Sequence, residues 1–103
     1  MMSNSNLDRL LNSVGKRIFV DYYLDFKKLP NQEMIDRLPQ QYTLKSRRSR
    51  TNHARRIFRE GLEIEALSIV AKSSKMDAET VATANKYIEV HKTRKVQAAN
   101  PTR

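Results

Sequence analysis

The sequence predicts an all-α protein. Helix-forming residues dominate the 103-residue chain, which contains only two Gly and three Pro. Apolar residues recur at steps of three and four, which is the spacing of amphipathic helices and not of strands. The chain contains no Cys, so disulfides and thiolate sites are excluded. We expect a single helical domain over residues 1–96, built from about five helices, and a flexible tail over residues 97–103.

The first predicted element is a long amphipathic helix over about residues 5–28. Gly15 is the position at which this helix would divide into two, and Pro30 ends it because the residue before a proline resists the helical conformation. Its apolar stripe consists of Leu7, Leu10, Leu11, Val14, Ile18, Phe19, Tyr22, Tyr23, Phe26 and Leu29. Together with the last helix, this stripe exceeds what a three-helix core needs. The surplus predicts a partner helix, most simply from a second copy in a homodimer.

A short helix over about residues 32–38 follows, with Asn31 as its N-cap and Pro39 after its end. A turn then leads into a basic helix, for which either Thr43 or Ser46 is a suitable N-cap. Gly61 stands where a left-handed C-terminal cap is expected. Two further helices are predicted over about residues 62–73 and from an N-cap at Asp77 to about residues 92–95.

The basic helix carries an unusual charge distribution. Seven of its fifteen residues from Lys45 to Arg59 are Lys or Arg and none is acidic, so this segment supplies +7 of a net charge of +9. Cations crowd its N-terminal turns, where the partial positive charge of a helix disfavours each by up to about 1 kcal/mol. Such an arrangement predicts an anionic partner, and the phosphate backbone of a nucleic acid is the commonest one.

The order of these elements is also informative. A long helix, a short helix, a brief turn and a basic helix over residues 16–61 resemble a helix-turn-helix DNA-binding domain, with residues 62–95 adding C-terminal helices. The turn differs from many such motifs in carrying Pro39, Gln40 and Gln41 instead of Gly. The resemblance is one of motif and not of a named family. It implies that the basic helix enters the major groove of duplex DNA.

A helical projection separates the basic helix into two faces. Thr51, Ala54, Ile57 and Phe58 form a buried seam, and Asn52 lies near the centre of the outward face. Arg can pair with guanine and Asn with adenine, while other cations and hydroxyls contact phosphate. The residues predicted to contact bases are Arg47, Arg48, Ser49, Asn52, His53 and Arg56. Arg56 lies one turn later than the others and can reach either a base or a phosphate. The residues predicted to contact the DNA backbone are Lys45, Ser46, Arg50, Arg55 and Arg59.

Several of these assignments have a structural alternative. Ser46 can serve only as an N-cap, and Asn52 and His53 can be ordinary surface residues. The stem of Arg50 lies near the edge of the seam and can pack there. Arg55 or Arg59 can pair with a nearby carboxylate and act only in folding.

The function predicted from these features is sequence-specific binding of duplex DNA, in a small regulator of transcription or of plasmid or phage replication. The alternatives are RNA binding through the same helix and a protein–protein adaptor whose basic face meets an acidic partner. No phosphate loop, zinc-binding pattern or nucleophile motif is present, so we predict no catalytic activity, cofactor, metal site or small-molecule ligand. Apolar runs are too short for a membrane span, and no signal peptide is recognisable, so a cytoplasmic location is expected.

Overall fold

The computed structural model describes the backbone of residues 5–99 and the side chains of residues 6–92. Over that backbone the chain forms seven helices and no strand, which confirms the all-α class. The helices are α1 (Ser5–Val14), α2 (Lys16–Asp21), α3 (Tyr23–Lys28), α4 (Asn31–Arg37), α5 (Leu44–Arg59), α6 (Glu63–Ala71) and α7 (Ala78–Ala99).

The two additional helices arise because the predicted first helix is divided twice. Gly15 has a φ of 98°, which L-residues with a side chain rarely adopt, and it turns the chain between α1 and α2. Tyr22 separates α2 from α3 with a φ of −113°. Helical hydrogen bonds continue across this second division, since the Phe26 N–H donates to the Tyr22 carbonyl at 2.8 Å. A helical hydrogen bond therefore spans the division at Tyr22.

The short helix α4 begins one residue earlier than the sequence predicts. Pro30 is its N-cap, with extended backbone, and the Pro30 carbonyl accepts the Met34 N–H at 2.9 Å. Asn31, the predicted N-cap, is instead the first helical residue. The turn from residue 38 to 43 that follows is long, and the Tyr42 N–H donates to the Pro39 carbonyl within it at 3.1 Å.

The basic helix α5 has a well-defined cap at each end. Thr43 is the N-cap, because its hydroxyl accepts the Ser46 N–H at 3.0 Å. At the other end Gly61 has the predicted left-handed conformation, with a φ of 71°. The Gly61 N–H donates to the Phe58 carbonyl and the Leu62 N–H to the Ile57 carbonyl, which is the Schellman arrangement. These caps fix where α5 starts and stops.

The last two helices pack against each other, and α7 also contacts α2. Asp77 caps α7 as predicted, since its carboxylate accepts the Thr80 N–H at 3.1 Å and the Thr80 hydroxyl at 2.8 Å. These two bonds lower the pKa of the Asp77 carboxyl. The helix extends through Ala99 and so includes positions 97–99 of the predicted tail, whereas residues 100–103 lie outside the described residues.

One core joins all of these helices. Phe19 lies at its aromatic centre, with ring centroids of Tyr23 at 5.6 Å and Phe58 at 5.7 Å, and Tyr23 in turn stacks on Tyr87 at 4.6 Å. The apolar stripe of the first predicted helix is largely buried within the single chain, against α5 and α6. That stripe therefore does not require a second copy to cover it, whereas Val90 on α7 is 46% exposed. The homodimer remains a prediction.

Candidate nucleic-acid interface

Helix α5 is held by its neighbours along one face. Thr51, Ala54 and Ile57 are fully buried on that face, as the helical projection predicts, and α5 packs there against α1, α3, α4 and α6. The opposite face is left to solvent. The orientation of α5 thus divides its seven cations into those that turn inward at the edges and those that remain outside.

Arg50 makes two hydrogen bonds and a cation–π contact, more than either of the other inward cations. Its Nη1 donates to the Val14 carbonyl at 2.6 Å, at the C-terminal end of α1, and its Nε donates to the Ser46 hydroxyl at 3.0 Å. The guanidinium carbon also lies 4.0 Å from the centre of the Tyr42 ring, in a cation–π contact. Gly15 leaves room for this arrangement, since a Cβ there would stand 3.0 Å from Nη1.

Arg47 turns back towards the C-terminal end of α4. Its Nη1 donates to the Ile35 carbonyl at 3.2 Å and its Nε to the Tyr42 carbonyl at 3.1 Å. The Gln40 side-chain amide donates to the neighbouring Asp36 carbonyl at 3.0 Å. Side-chain donors therefore satisfy carbonyls at the end of α4, where a turn with Gly would have used backbone N–H groups.

Arg55 performs the same task for α3. Its Nη2 donates to the carbonyl of Leu29, which is the C-cap of α3, and its Nε is buried without a hydrogen-bond partner. Burial lowers the pKa of the Arg55 guanidinium. The carboxylate partner considered for Arg55 from the sequence is replaced by a backbone carbonyl.

These three contacts show how the inward cations are held in the folded protein. Arg47 is predicted to contact bases, and Arg50 and Arg55 to contact phosphate. In the structure each guanidinium donates to a carbonyl at or near the end of a neighbouring helix. Helix C-terminal carbonyls are unpaired acceptors with partial negative charge, so they attract cations. The negative groups that the crowded cations of α5 required are therefore partly supplied by α1, α3 and α4.

The remaining polar side chains form an exposed face that we call the outer stripe. Its members fall within about 60° of one line along α5, which spans roughly 21 Å. All six are exposed. The outer stripe consists of Lys45, Arg48, Ser49, Asn52, Arg56 and Arg59.

The N-terminal half of the outer stripe consists of Lys45, Arg48, Ser49 and Asn52, and the C-terminal half of Arg56 and Arg59. Among the described residues, no carboxylate lies in ion-pair contact with Lys45 or Arg48. Farther along α5, Arg56 Nε lies 2.8 Å from the Glu60 carboxylate, an i,i+4 pair that is readable from the sequence but was not singled out there. An acidic side chain therefore accompanies the cations of the C-terminal half, whereas the cations of the N-terminal half have no such partner among the side chains of residues 6–92.

His53 and Ser46 lie at the margins of the outer stripe. His53 is half-buried, and its Nδ1 lies 2.7 Å from the Ser49 carbonyl oxygen, a contact in which Nδ1–H donates to the carbonyl. Ser46 accepts a hydrogen bond from Arg50, and it is not the N-cap of α5. Both side chains thus have local structural partners.

Other candidate sites are weak in the part of the chain that the structure describes. No group of three metal-ligating side chains comes together there. An open polar depression of about 120 Å³ lies between α2 and α7, and none of its lining residues belongs to α5. Among residues 5–99, no helix is both long and apolar enough to cross a bilayer.

No protein-family model, curated protein or solved structure matches this chain.

Proposed function

We propose that the chain binds duplex DNA sequence-specifically, by inserting the N-terminal half of α5 into the major groove. One observation carries the proposal: Lys45, Arg48, Ser49 and Asn52 form an exposed, acid-free line of donors on a helix that is capped and packed on its other side. Cations alone would favour any polyanion. Arg and Asn beside each other on one helical face can in addition pair with base edges.

The dimensions favour DNA over RNA. The major groove of B-form DNA, about 12 Å wide, accepts an α-helix, whereas that of A-form RNA is deep and narrow. The outer stripe supplies the contacts in this proposal, since Arg47, Arg50 and Arg55 already donate hydrogen bonds to carbonyls of other helices. A small DNA-binding protein of this kind fits a regulator of transcription or of plasmid or phage replication.

The first experiment measures affinity and its salt dependence. Fluorescence anisotropy with a labelled mixed-sequence duplex, repeated at several salt concentrations, gives the number of phosphates contacted. We expect Lys45→Ala, at a position predicted to contact phosphate, to weaken binding by about tenfold and to reduce the salt slope by about 1. Lys86→Ala is the matched control, because it removes an equal charge from an exposed position on α7. Equal effects of the two substitutions would refute the assignment of the interface to α5.

The second experiment tests base reading. A duplex pool with a randomised centre is selected on the wild-type protein, and the selected duplex is then measured against an unselected one. Asn52→Ala should lower the ratio of these two affinities while leaving the salt slope unchanged, since an uncharged amide releases no counterions. Selection that yields no preferred sequence would contradict the sequence-specific part of the proposal.

Competitors separate the two alternative partners. A structured RNA hairpin that displaces the labelled duplex at a lower concentration than unlabelled duplex does would favour RNA binding. Displacement by polyglutamate at an equal concentration of charges would favour an acidic protein partner. The proposal requires duplex DNA to be the strongest competitor of the three.

A further inference from the structure

Glu60 is placed where an acid contributes little to the helix. It is the C-cap of α5, and negative charge at a helix C-terminus is disfavoured by the helix dipole. Its pair with Arg56 has the cation N-terminal to the acid, which is the less favourable order for an i,i+4 pair. Both side chains are also substantially exposed, at 46% for Arg56 and 39% for Glu60, so solvent screens their attraction.

Glu60 nevertheless pairs directly with Arg56, a cation of the outer stripe. Its carboxylate oxygen lies 2.8 Å from Arg56 Nε, within direct hydrogen-bonding distance. A phosphate that approached Arg56 would have to compete with this carboxylate for the same guanidinium and would meet its negative charge. Glu63 and Glu65, in the first turn of α6, place further acidic side chains just beyond Glu60 along the chain.

We propose that Glu60 ends the DNA-binding surface of α5 by occupying Arg56. This inference rests on the proposed function. The N-terminal half of the outer stripe is left open to the nucleic acid, while the carboxylate neutralises the first cation of the C-terminal half. Glu60 thereby limits affinity that would be independent of base sequence, because a phosphate contact from Arg56 would strengthen binding to every duplex equally.

The experiment compares Glu60→Gln with wild type on one mixed-sequence duplex over a series of salt concentrations. Release of Arg56 to a phosphate should raise affinity by about fivefold near 0.1 M salt and steepen the salt slope by about 0.9. Glu65→Gln is the matched control, because it makes the same charge change at an exposed position outside the Arg56 pair. It should give a smaller gain in affinity and leave the slope unchanged. Far-ultraviolet circular dichroism confirms that the variants remain helical.

A double-mutant cycle links the effect to Arg56. In an Arg56→Gln background, Glu60→Gln should produce no steepening of the salt slope, since the cation to be released is absent. If Glu60→Gln steepened the slope equally in both backgrounds, the inferred route through Arg56 would be wrong.

The outcomes distinguish this inference from the function on which it rests. Wild-type binding to duplex DNA combined with equal behaviour of Glu60→Gln and Glu65→Gln would overturn the role of Glu60 alone. Weaker binding by Glu60→Gln would also overturn it, because Glu60 would then orient Arg56 towards the DNA and not withhold it. Absence of salt-dependent DNA binding by the wild-type protein would overturn both proposals.

Discussion

Replacing Arg50 tests the division of the α5 cations into structural and exposed sets. Arg50→Ala removes hydrogen bonds to the Val14 carbonyl at 2.6 Å and to the Ser46 hydroxyl at 3.0 Å, and the cation–π contact with Tyr42. Hydrogen bonds from charged donors contribute about 1.5–3 kcal/mol each, and a partly exposed cation–π contact about 0.5–1 kcal/mol. The low ends of these ranges sum to about 3.5 kcal/mol. Arg50 is only half-buried and solvent replaces part of what is lost, so we expect a decrease of roughly 2–3 kcal/mol in the free energy of unfolding.

The assay is urea unfolding followed by far-ultraviolet circular dichroism. A loss of this size corresponds to a fall in Tm of about 10 °C or more for a domain of roughly 100 residues. Arg48→Ala is the control, since it removes the same atoms from an exposed position of the same helix and should change stability by less than about 0.5 kcal/mol. DNA binding, measured well below the unfolding transition, should be weakened more by Arg48→Ala than by Arg50→Ala. Equal stability of the two variants would refute the structural role of Arg50.

Two further predictions concern the glycines and a buried tyrosine. Gly15→Ala should destabilise the fold by about 2–4 kcal/mol, because it combines backbone strain at a φ of 98° with a contact of 3.0 Å between the new Cβ and Arg50. Gly61→Ala should destabilise it by about 1–2 kcal/mol, because a Cβ there would meet no atom within 4 Å and only the backbone strain remains. Equal losses in urea unfolding would show that Arg50 imposes no steric demand at Gly15. Burial, with a smaller effect of Glu63, raises the pKa of Tyr23 from 10.0 to about 12, so the folded state favours the neutral phenol. Its contribution to stability is complete below pH 10 and is lost as the pH rises towards 12, and Tyr23→Phe should lose less stability over that interval.

The sequence was sufficient for the features that depend on local periodicity and capping. The buried seam of α5, the Gly61 cap and the Asp77 cap follow from side-chain spacing and backbone preference, which are local properties. The destinations of Arg47 and Arg50 were not predictable in this way. Their acceptors on other helices, the Ile35 and Val14 carbonyls, lie 12 and 36 residues away in the chain, so only the packing of the helices brings these groups together.

The same limit applied to the apolar surplus of the first helix. The periodicity correctly indicates that one side of this helix is buried, but it does not show whether the helix that covers it belongs to the same chain. The division at Gly15 allows α1 to pack on α5 while Phe19 and Phe26 enter the core from α2 and α3. A glycine within an apolar stripe indicates a place of division, but it does not specify the direction in which the chain turns.

The attachment of α5 by three guanidinium groups has a consequence for the thermodynamics of complex formation. Arg47, Arg50 and Arg55 connect it to the ends of three other helices, so its position relative to the body of the domain is established during folding. A ligand that docks on the outer stripe meets a helix whose backbone is already ordered, so only the exposed side chains lose conformational entropy on binding. The heat-capacity change on association should therefore correspond to the apolar area buried in the contact alone. It should be smaller in magnitude than the change expected when a segment folds on binding.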